Sequence, residues 1–592
     1  MDLPKGQLTA RGIAIGVVGC VVITAASAYT ALKMGALPWP IVFAAIVSLF
    51  FLKALNKGHA DLNEANVTHT VMSAGSMVSG GLAFTIPAAW MLGFADQTTW
   101  PQLLAVALGG TVLGSICTIL LRRRFIEDEP LEFPIGQAAA ETLKAGEAGG
   151  ATGRKLFGAL GLAGVYTWLR DGIAVLPTVF FQGVSVPGVS FGLYNSPLMM
   201  SMGFLVGTSS VVVWFLGALI GSFGIIVGGS ALGLWDVATG QGITSSLGMG
   251  AMMGCGIAVV VKMIAGKALK ALRRGGATDT ADATDATDAA AHADVAGKAA
   301  AGGASEAAAH ADAPAAQPAI KNIRLTAGLI ALAAAAVGLV LCIVLGFGPL
   351  VALVVVLLSF VTCAMAAQSC GQTGIDPMEI FGLIVLLFVA AFSGSTEVQL
   401  FYVAGVIAVA CGLAGDVMYD FKAGHILGTD WRAQWIAQAI GSVIGAFVAV
   451  AVMFILLTAY GADAFGAQGS FVAAQASVVA TMVAGIPSIP AFLVGFAAGF
   501  VLYLVKAPAM MLGLGIYLPF YMSAAAFFGA MVRVVYNAVG KRRRAAAAPE
   551  DRAELEKRHE QTGLVVASGL LGGESVVGVL VALWTIASGM LA

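Results

Sequence analysis

The sequence predicts an all-α, polytopic membrane protein with about 14–16 transmembrane helices in two duplicated halves, some of them broken or re-entrant. Three observations predict it. First, the 592 residues are 59% hydrophobic and only 11% charged, with a mean hydropathy of +0.91. A soluble domain carries roughly 25% charged residues, so a soluble fold is excluded. Second, 25 of the 63 acidic and basic residues fall in two short stretches, 266–321 and 540–561, which leaves the rest of the chain almost bare of charge. Third, the apolar runs are long and continuous. A transmembrane β-barrel would alternate in segments of about ten residues. The 76 glycines suit helices that pack closely in lipid.

The first set of spans lies near 11–32, 37–55, 71–93, 101–121, 155–181, 197–218, 219–234 and 240–264. Lys5 and Arg11 precede the first, and Ala26-Ser27-Ala28 resembles a cleavage site. An uncleaved first span is the expectation, as in most polytopic chains. The stretch 265–322 is rich in Ala, Gly, Asp and Thr and cannot bury a core, so it is expected to be a disordered linker. Lys262, Lys267, Lys270, Arg273 and Arg274 put its start on the cytoplasmic side. Its Asp279, Asp282, Asp285, Asp288, His292 and Asp294 read as a solvated low-complexity tract rather than a metal site. The second set of spans lies near 324–346, 349–367, 378–394, 399–414, 433–460, 472–506, 508–538 and 563–591. Lys541 to Arg544 open a charged cytoplasmic loop, 540–562, and Arg122 to Arg124 mark another cytoplasmic loop. The chain thus divides into a first half 1–264, the linker, and a second half 323–592.

Three boxes recur in the same order in both halves. Leu143-Lys144-Ala145-Gly146 with Gly150 and Arg154 matches Phe421-Lys422-Ala423-Gly424 with Gly428 and Arg432. Pro197-x-Met199-Met200 matches Pro508-x-Met510-Met511, and Ser246-x-Gly248-x-Gly250 weakly matches Ser568-Gly569 with Gly572-Gly573. Their common order points to duplication, and duplicated halves place a substrate site near mid-membrane. The methionine pairs read as packing. The seven cysteines are scattered, with no Cys-x-x-Cys, so no zinc site or disulfide framework is expected.

Polar groups inside apolar sequence are costly and mark transport pathways. Gly415 to His425 carries Asp416, Tyr419, Asp420, Lys422 and His425 between two apolar runs. A helical turn sets Asp416, Tyr419 and Asp420 on one face. Such a group could bind a substrate ammonium, relay a proton, or do both. Glu141 and Lys144 stand in the matching position of the first half. Glu574 lies in a glycine-dense break of an apolar span, where a carboxylate could take up a proton or hold a substrate amine. Asn66 and His69 precede Ser73-Ala74-Gly75, Gly80-Gly81 and Pro87, a sign of a broken element. Gln368 to Pro377 is a polar interruption containing Asp376 that either lines the pathway or forms a loop, with Glu379 following. Arg170-Asp171 reads as a mutual structural pair. There is no Gly-x4-Gly-Lys-Ser/Thr loop for ATP and no His-Glu-x-x-His, and no basic, aromatic-interleaved surface for nucleic acid. No enzyme chemistry and no metal or organic cofactor is expected.

These stretches together resemble the oligopeptide transporter (OPT) superfamily, in its prokaryotic branch, related to yellow-stripe metal-chelate transporters. The matching residues are Asn66 to Gly93, Phe133-Pro134 to Ala138, Glu141, Lys144-Ala145-Gly146, Asp376-Pro377-Met378, Gly415-Asp416 to His425, and Gly569 to Gly578. Ser76 stands where many members carry an acidic residue, and Phe133-Pro134 where many have Tyr-Pro or Phe-Pro. The resemblance implies about 16 spans and proton-coupled symport. The expected function is import of oligopeptides or peptide-like compounds across the inner (plasma) membrane, by alternating access with protons as coupling ion. Uptake of iron–siderophore or other metal chelates is the alternative within transport. A channel or non-transporting scaffold is the rival of another class. The expected partners are a small-molecule substrate and the lipid bilayer.

Overall fold

The computed structural model describes residues 6–591 apart from 36, 38–39, 57, 129, 147–150, 182, 275–322, 374–375, 467–468, 485 and 547. In chain order the helices are α1 (Ala10–Met34), α2 (Pro40–Leu55), α3 (Leu62–Ala83), α4 (Pro87–Met91), α5 (Trp100–Arg122), α6 (Pro134–Gly146), α7 (Ala151–Thr167), α8 (Pro197–Val206), α9 (Thr208–Leu219) and α10 (Val237–Arg274). They continue as α11 (Ile323–Leu345), α12 (Pro349–Thr373), α13 (Met378–Phe392), α14 (Glu397–Leu427), α15 (Trp431–Tyr460), α16 (Ala474–Ala484), α17 (Ile489–Leu504), α18 (Ala509–Tyr517), α19 (Phe520–Ala545) and α20 (Arg552–Leu591). Among the described residues, nine helical stretches are long and apolar enough to cross a membrane and six shorter ones are apolar. The protein is an all-α polytopic membrane protein.

The chain forms two compact units. One comprises 1–155, 301–463 and 582–592; the other comprises 156–300 and 464–581. Each therefore takes segments from both sequence halves. The linker beyond Arg274, with its Asp and His residues, lies outside the described residues, and α10 carries its basic start on as helix to Arg274.

In the first unit, α3 is the centre. Every residue from Glu64 to Ala83 is buried, although the helix carries Asn, His, Ser and Thr. It packs against α1, α2, α14 and α15. Its hydroxyls bond back to the preceding turn: Thr70 donates to the Asn66 carbonyl at 3.0 Å, and Ser79 to the Ser76 carbonyl at 2.8 Å. Such local bonds let a polar helix sit in a dry interior. Asp61 caps its start by accepting the Asn63 and Glu64 amides. The helix breaks at 84–86, before Pro87 opens α4, as its glycines and proline predicted. The α3–α15 crossing runs through Gly75 and Gly445, where a Cβ on either would overlap the other's backbone. α14 is buried along nearly its whole length and packs on α3, α5, α12 and α13. A Thr396–Gln399 capping box starts α14 and a left-handed Gly428 (φ 78°) ends it.

In the second unit, α10 packs along α17, α8 on α19, and α9 on α18. α7 meets α20 where Gly569 and Gly573 lie against the Leu156 and Leu160 carbonyls. Several expected single spans are pairs of helices. The span 197–218 divides at Gly207 (φ 100°). The span 472–506 divides ahead of Pro490, and 508–538 divides at Pro519, because proline cannot donate to a helix interior. The span 155–181 ends early, in a π-helical turn over Trp168–Gly172. Beyond it come two short antiparallel strands, β1 (Val179–Phe180) and β2 (Leu193–Tyr194). The charged loop 540–562 is largely helix. Lys541 to Arg544 complete the last turn of α19, where basic side chains suit the helix dipole, and α20 begins at Arg552.

Candidate functional site

The first unit holds a buried acid–imidazole group. α14 presents Asp416, Tyr419 and Asp420 inward on one face, as their spacing predicted. α3 presents His69 opposite them. His69 Nε2 lies 2.9 Å from Asp420 Oδ1, and both side chains are shielded from solvent. Ser73 Oγ donates to Asp420 Oδ2 at 3.2 Å. Gln434 of α15 donates to the Asp420 carbonyl at 2.8 Å. The loop before α13 brings Asp376 to the same place. A Cβ on Gly415 would meet the Asp376 carboxylate and the Cys370 sulfur, so glycine alone permits that approach. Glu379 and Asp416 each interact electrostatically with Asp376. Asp416 Oδ2, His69 Nδ1 and both amide atoms of Gln438 are buried and have no hydrogen-bond partner among the described residues.

Other expected residues sit elsewhere in the unit. Asn66 Nδ2 donates to Thr429 Oγ1 at 3.0 Å, and that hydroxyl donates to Asn63 at 2.7 Å, which joins α3 to the start of α15. Gln368 is buried near the end of α12. Lys422 is half-buried, and its Nζ donates to the Leu131 carbonyl at 2.8 Å. That contact holds the segment whose Phe133 takes a strained φ of 48° and packs edge-on to Tyr419. His425 is exposed in the last turn of α14, and Lys144 is exposed on α6. The cluster Asp416 to His425 is thus divided: its carboxylates face inward and its basic groups lie at the helix end. The Glu141 side chain lies outside the described residues. Among the described residues, no group of three or more His, Cys, Asp or Glu is placed to hold a metal ion.

The second unit holds Glu574 on α20, with its side chain 1% exposed. It is not a lone carboxylate. Arg170 Nη2 donates to Oε1 at 2.9 Å, Ser196 Oγ lies 2.9 Å from both oxygens, and the Leu198 amide donates to Oε2 at 2.8 Å. Ser196 is the N-cap of α8, so Glu574 closes the start of that helix from another part of the chain. Arg170 is held by Asp171 through Nε and Nη2, at 2.7 and 2.5 Å, and by the Asn195 carbonyl at 2.5 Å. The expected Arg170–Asp171 pair is therefore present, and Arg170 also serves Glu574. Beside this group lies a cavity of about 660 Å³, lined by apolar residues such as Phe204, Phe528 and Leu570, with Tyr166, Asn195 and Ser201 on its wall. Tyr166 donates to Asn195 Oδ1 at 2.6 Å.

Sequence reasoning did not single out Gln434, Gln438, Ser196 or the Arg170–Glu574 bond. Gln434, Gln438, Gly441 and Gly445 recur every three to four residues in an apolar helix, a readable polar and small stripe. The Glu574 bonds span 376 to 404 residues and leave no local trace.

The profile of the OPT family, described as OPT oligopeptide transporter protein, matches residues 7–585. A protein of Haemophilus influenzae named as a candidate oligopeptide transporter is 31% identical to this chain over 205 residues, which is 34% of this chain and 31% of that protein. The match thus spans about a third of the relative's length. With the family profile covering nearly the whole chain, and with apolar helices enough for a multi-pass membrane protein, the chain belongs to the OPT family of oligopeptide transporter proteins.

Proposed function

We propose that the chain is a proton-coupled importer of oligopeptides or peptide-like compounds in the inner (plasma) membrane, working by alternating access. Family membership supports oligopeptide transport. The observation that carries the coupling is the buried group of Asp416, Asp420, His69 and Asp376 in the first unit. Lys422, the nearest base on α14, is turned to the Leu131 carbonyl instead. A buried set of carboxyl groups with one imidazole balances its charge by holding protons or a cationic substrate group. The unpaired Asp416 Oδ2, His69 Nδ1 and Gln438 amide are then the groups open to a proton, a water or a substrate amine. Leaving each unsatisfied would cost about 1–3 kcal/mol. Lys144, Lys422 and His425 serve the aqueous mouth of that pathway, and Asn66 fixes the α3 end of it.

Uptake of a labelled tripeptide into reconstituted vesicles, with a pH gradient imposed, tests this reading. Accumulation above equilibrium that a protonophore abolishes is expected. Equal uptake with and without the gradient would remove the coupling. Competition by a metal-loaded chelate but by no peptide would move the substrate to chelates. Equilibration without accumulation would make the protein a channel.

A further inference from the structure

We propose that Glu574 occupies, from within the chain, a site suited to the C-terminal carboxylate of a peptide substrate whose last side chain fills the apolar cavity beside it. The inference rests on oligopeptide transport as proposed above and names the part of the peptide recognised and where. The groups around Glu574 form a complete carboxylate cradle: a guanidinium, a hydroxyl and a helix N-terminal amide, all within 2.9 Å of its oxygens. Arginine with backbone amides is the donor set that suits a carboxylate best. The cradle does not depend on Glu574 for its shape. Asp171 holds Arg170 through Nε as well as through the Nη2 that serves Glu574, the Asn195 carbonyl holds Nη1, and Ser196 also caps α8 by accepting the Met199 amide at 3.1 Å. A second carboxylate entering there would meet the same donors.

The cavity is built on the same three elements as the cradle, next to it along each. Asn195 and Pro197, the neighbours of Ser196, line it. So do Tyr166, one turn before Arg170, and Leu570, one turn before Glu574. Its wall is apolar except for a few polar groups, and one of these carries an independent sign of a ligand. Ser201 is 3% exposed, lines the cavity, and its Oγ has no partner among the described residues. A volume of about 660 Å³ accommodates an aromatic or branched side chain, with Ser201 free to bond the last peptide unit. The charged and titratable groups facing Glu574 are Arg170 from the π-helical turn, Asp171 beyond it, and Tyr194 from β2. Exchange of one carboxylate for another leaves the charge at Arg170 balanced. The displaced Glu574 then requires a proton or a new donor, which links substrate entry to proton uptake.

Competition against labelled Ala-Ala-Ala uptake in vesicles tests this. The competitors are Ala-Ala-Phe, its C-terminal amide, Ala-Ala-Asp and oleate, each against wild type, Val566→Trp and Glu574→Gln. Ala-Ala-Phe should compete about tenfold better than its amide or Ala-Ala-Asp, the size of one charge-assisted bond or one buried side chain. Val566→Trp, which fills the cavity, should make the Ala- and Phe-ended peptides equal. Glu574→Gln should strengthen binding of the free acid over the amide, whereas a merely structural glutamate would not shift that ratio. Equal competition by acid and amide overturns the inference. So does a Val566→Trp that weakens Ala- and Phe-ended peptides alike, or oleate matching Ala-Ala-Phe and losing its effect in Val566→Trp, which would assign the cavity to lipid. If wild type takes up no peptide, the transport reading falls and this inference with it. If it takes up peptides without these preferences, only the inference falls.

Discussion

Asp420 is hydrogen-bonded to His69 and accepts a bond from Ser73 in a place without solvent, so its carboxyl group matters more than its shape. Asp420→Asn keeps the shape and removes the charge. Gradient-driven uptake should fall by about tenfold or more, as expected for loss of one charge-assisted bond in the path, while the elution profile stays that of wild type. A second outcome separates the two polar sites. Arg170→Ala leaves Glu574 buried without its cation, which should cost about 3–5 kcal/mol in thermal stability. Arg170→Ala with Glu574→Ala should cost less than the sum of the two single changes, since the pair acts together. Residue scale is also where the sequence is most informative and most blind. Asp416, Asp420 and Glu574 stand out in the sequence because a charge in apolar sequence is costly, whereas His69 reads there as a lone histidine and only the fold sets it against Asp420. Arg170 looks complete with Asp171 next to it, and only the folded chain shows that the same guanidinium reaches Glu574.

At the scale of elements, glycines set which helices touch. Gly445 and Gly75 leave no room for a side chain where α15 crosses α3, whereas a Cβ on Gly161 of α7 would meet nothing within 4 Å. Gly445→Ala should therefore lower the yield of folded protein through overpacking of about 1–3 kcal/mol. Gly161→Ala should be neutral or stabilise by up to about 1 kcal/mol through helix propensity. Thermal melting of the two variants in the same detergent checks the contrast. The apolar spans were legible because the bilayer demands about 20 apolar residues per helix. Their breaks were less so. Gly207, Pro490 and Pro519 divide runs that look continuous by hydropathy, and the strand pair β1–β2 follows a helix that ends sooner than its apolar run. Hydropathy reports the environment of a segment, and a backbone turn inside protein leaves that environment unchanged.

For the whole molecule, the repeated boxes and the compact units intersect in an ordered way. Lys144 and Lys422 fall in the same unit, and so do Pro197 with Pro508 and Ser246 with Ser568. A duplicated chain would behave so if each half supplied an equivalent segment to each unit. The consequence concerns folding. In the first unit α3 and α5, from before the linker, pack on α14 and α15, from after it. In the second unit α8, α9 and α10 pack on α19, α18 and α17. Each sequence half has partners of its own, such as α1 and α2 on α3, but leaves apolar faces that only helices of the other half cover: α14 and α15 on α3 and α5, and α17, α18 and α19 on α10, α9 and α8. Residues 1–290 expressed alone, and 291–592 expressed alone, should each be degraded or aggregate. Expressed together from separate messages, they should copurify through a tag on one of them and recover gradient-driven uptake, since the cut falls in the low-complexity stretch where no long apolar run is broken. Either half accumulating alone as a monodisperse, protease-resistant protein would show that the units do not need both halves, and would undo this account of how the chain is assembled.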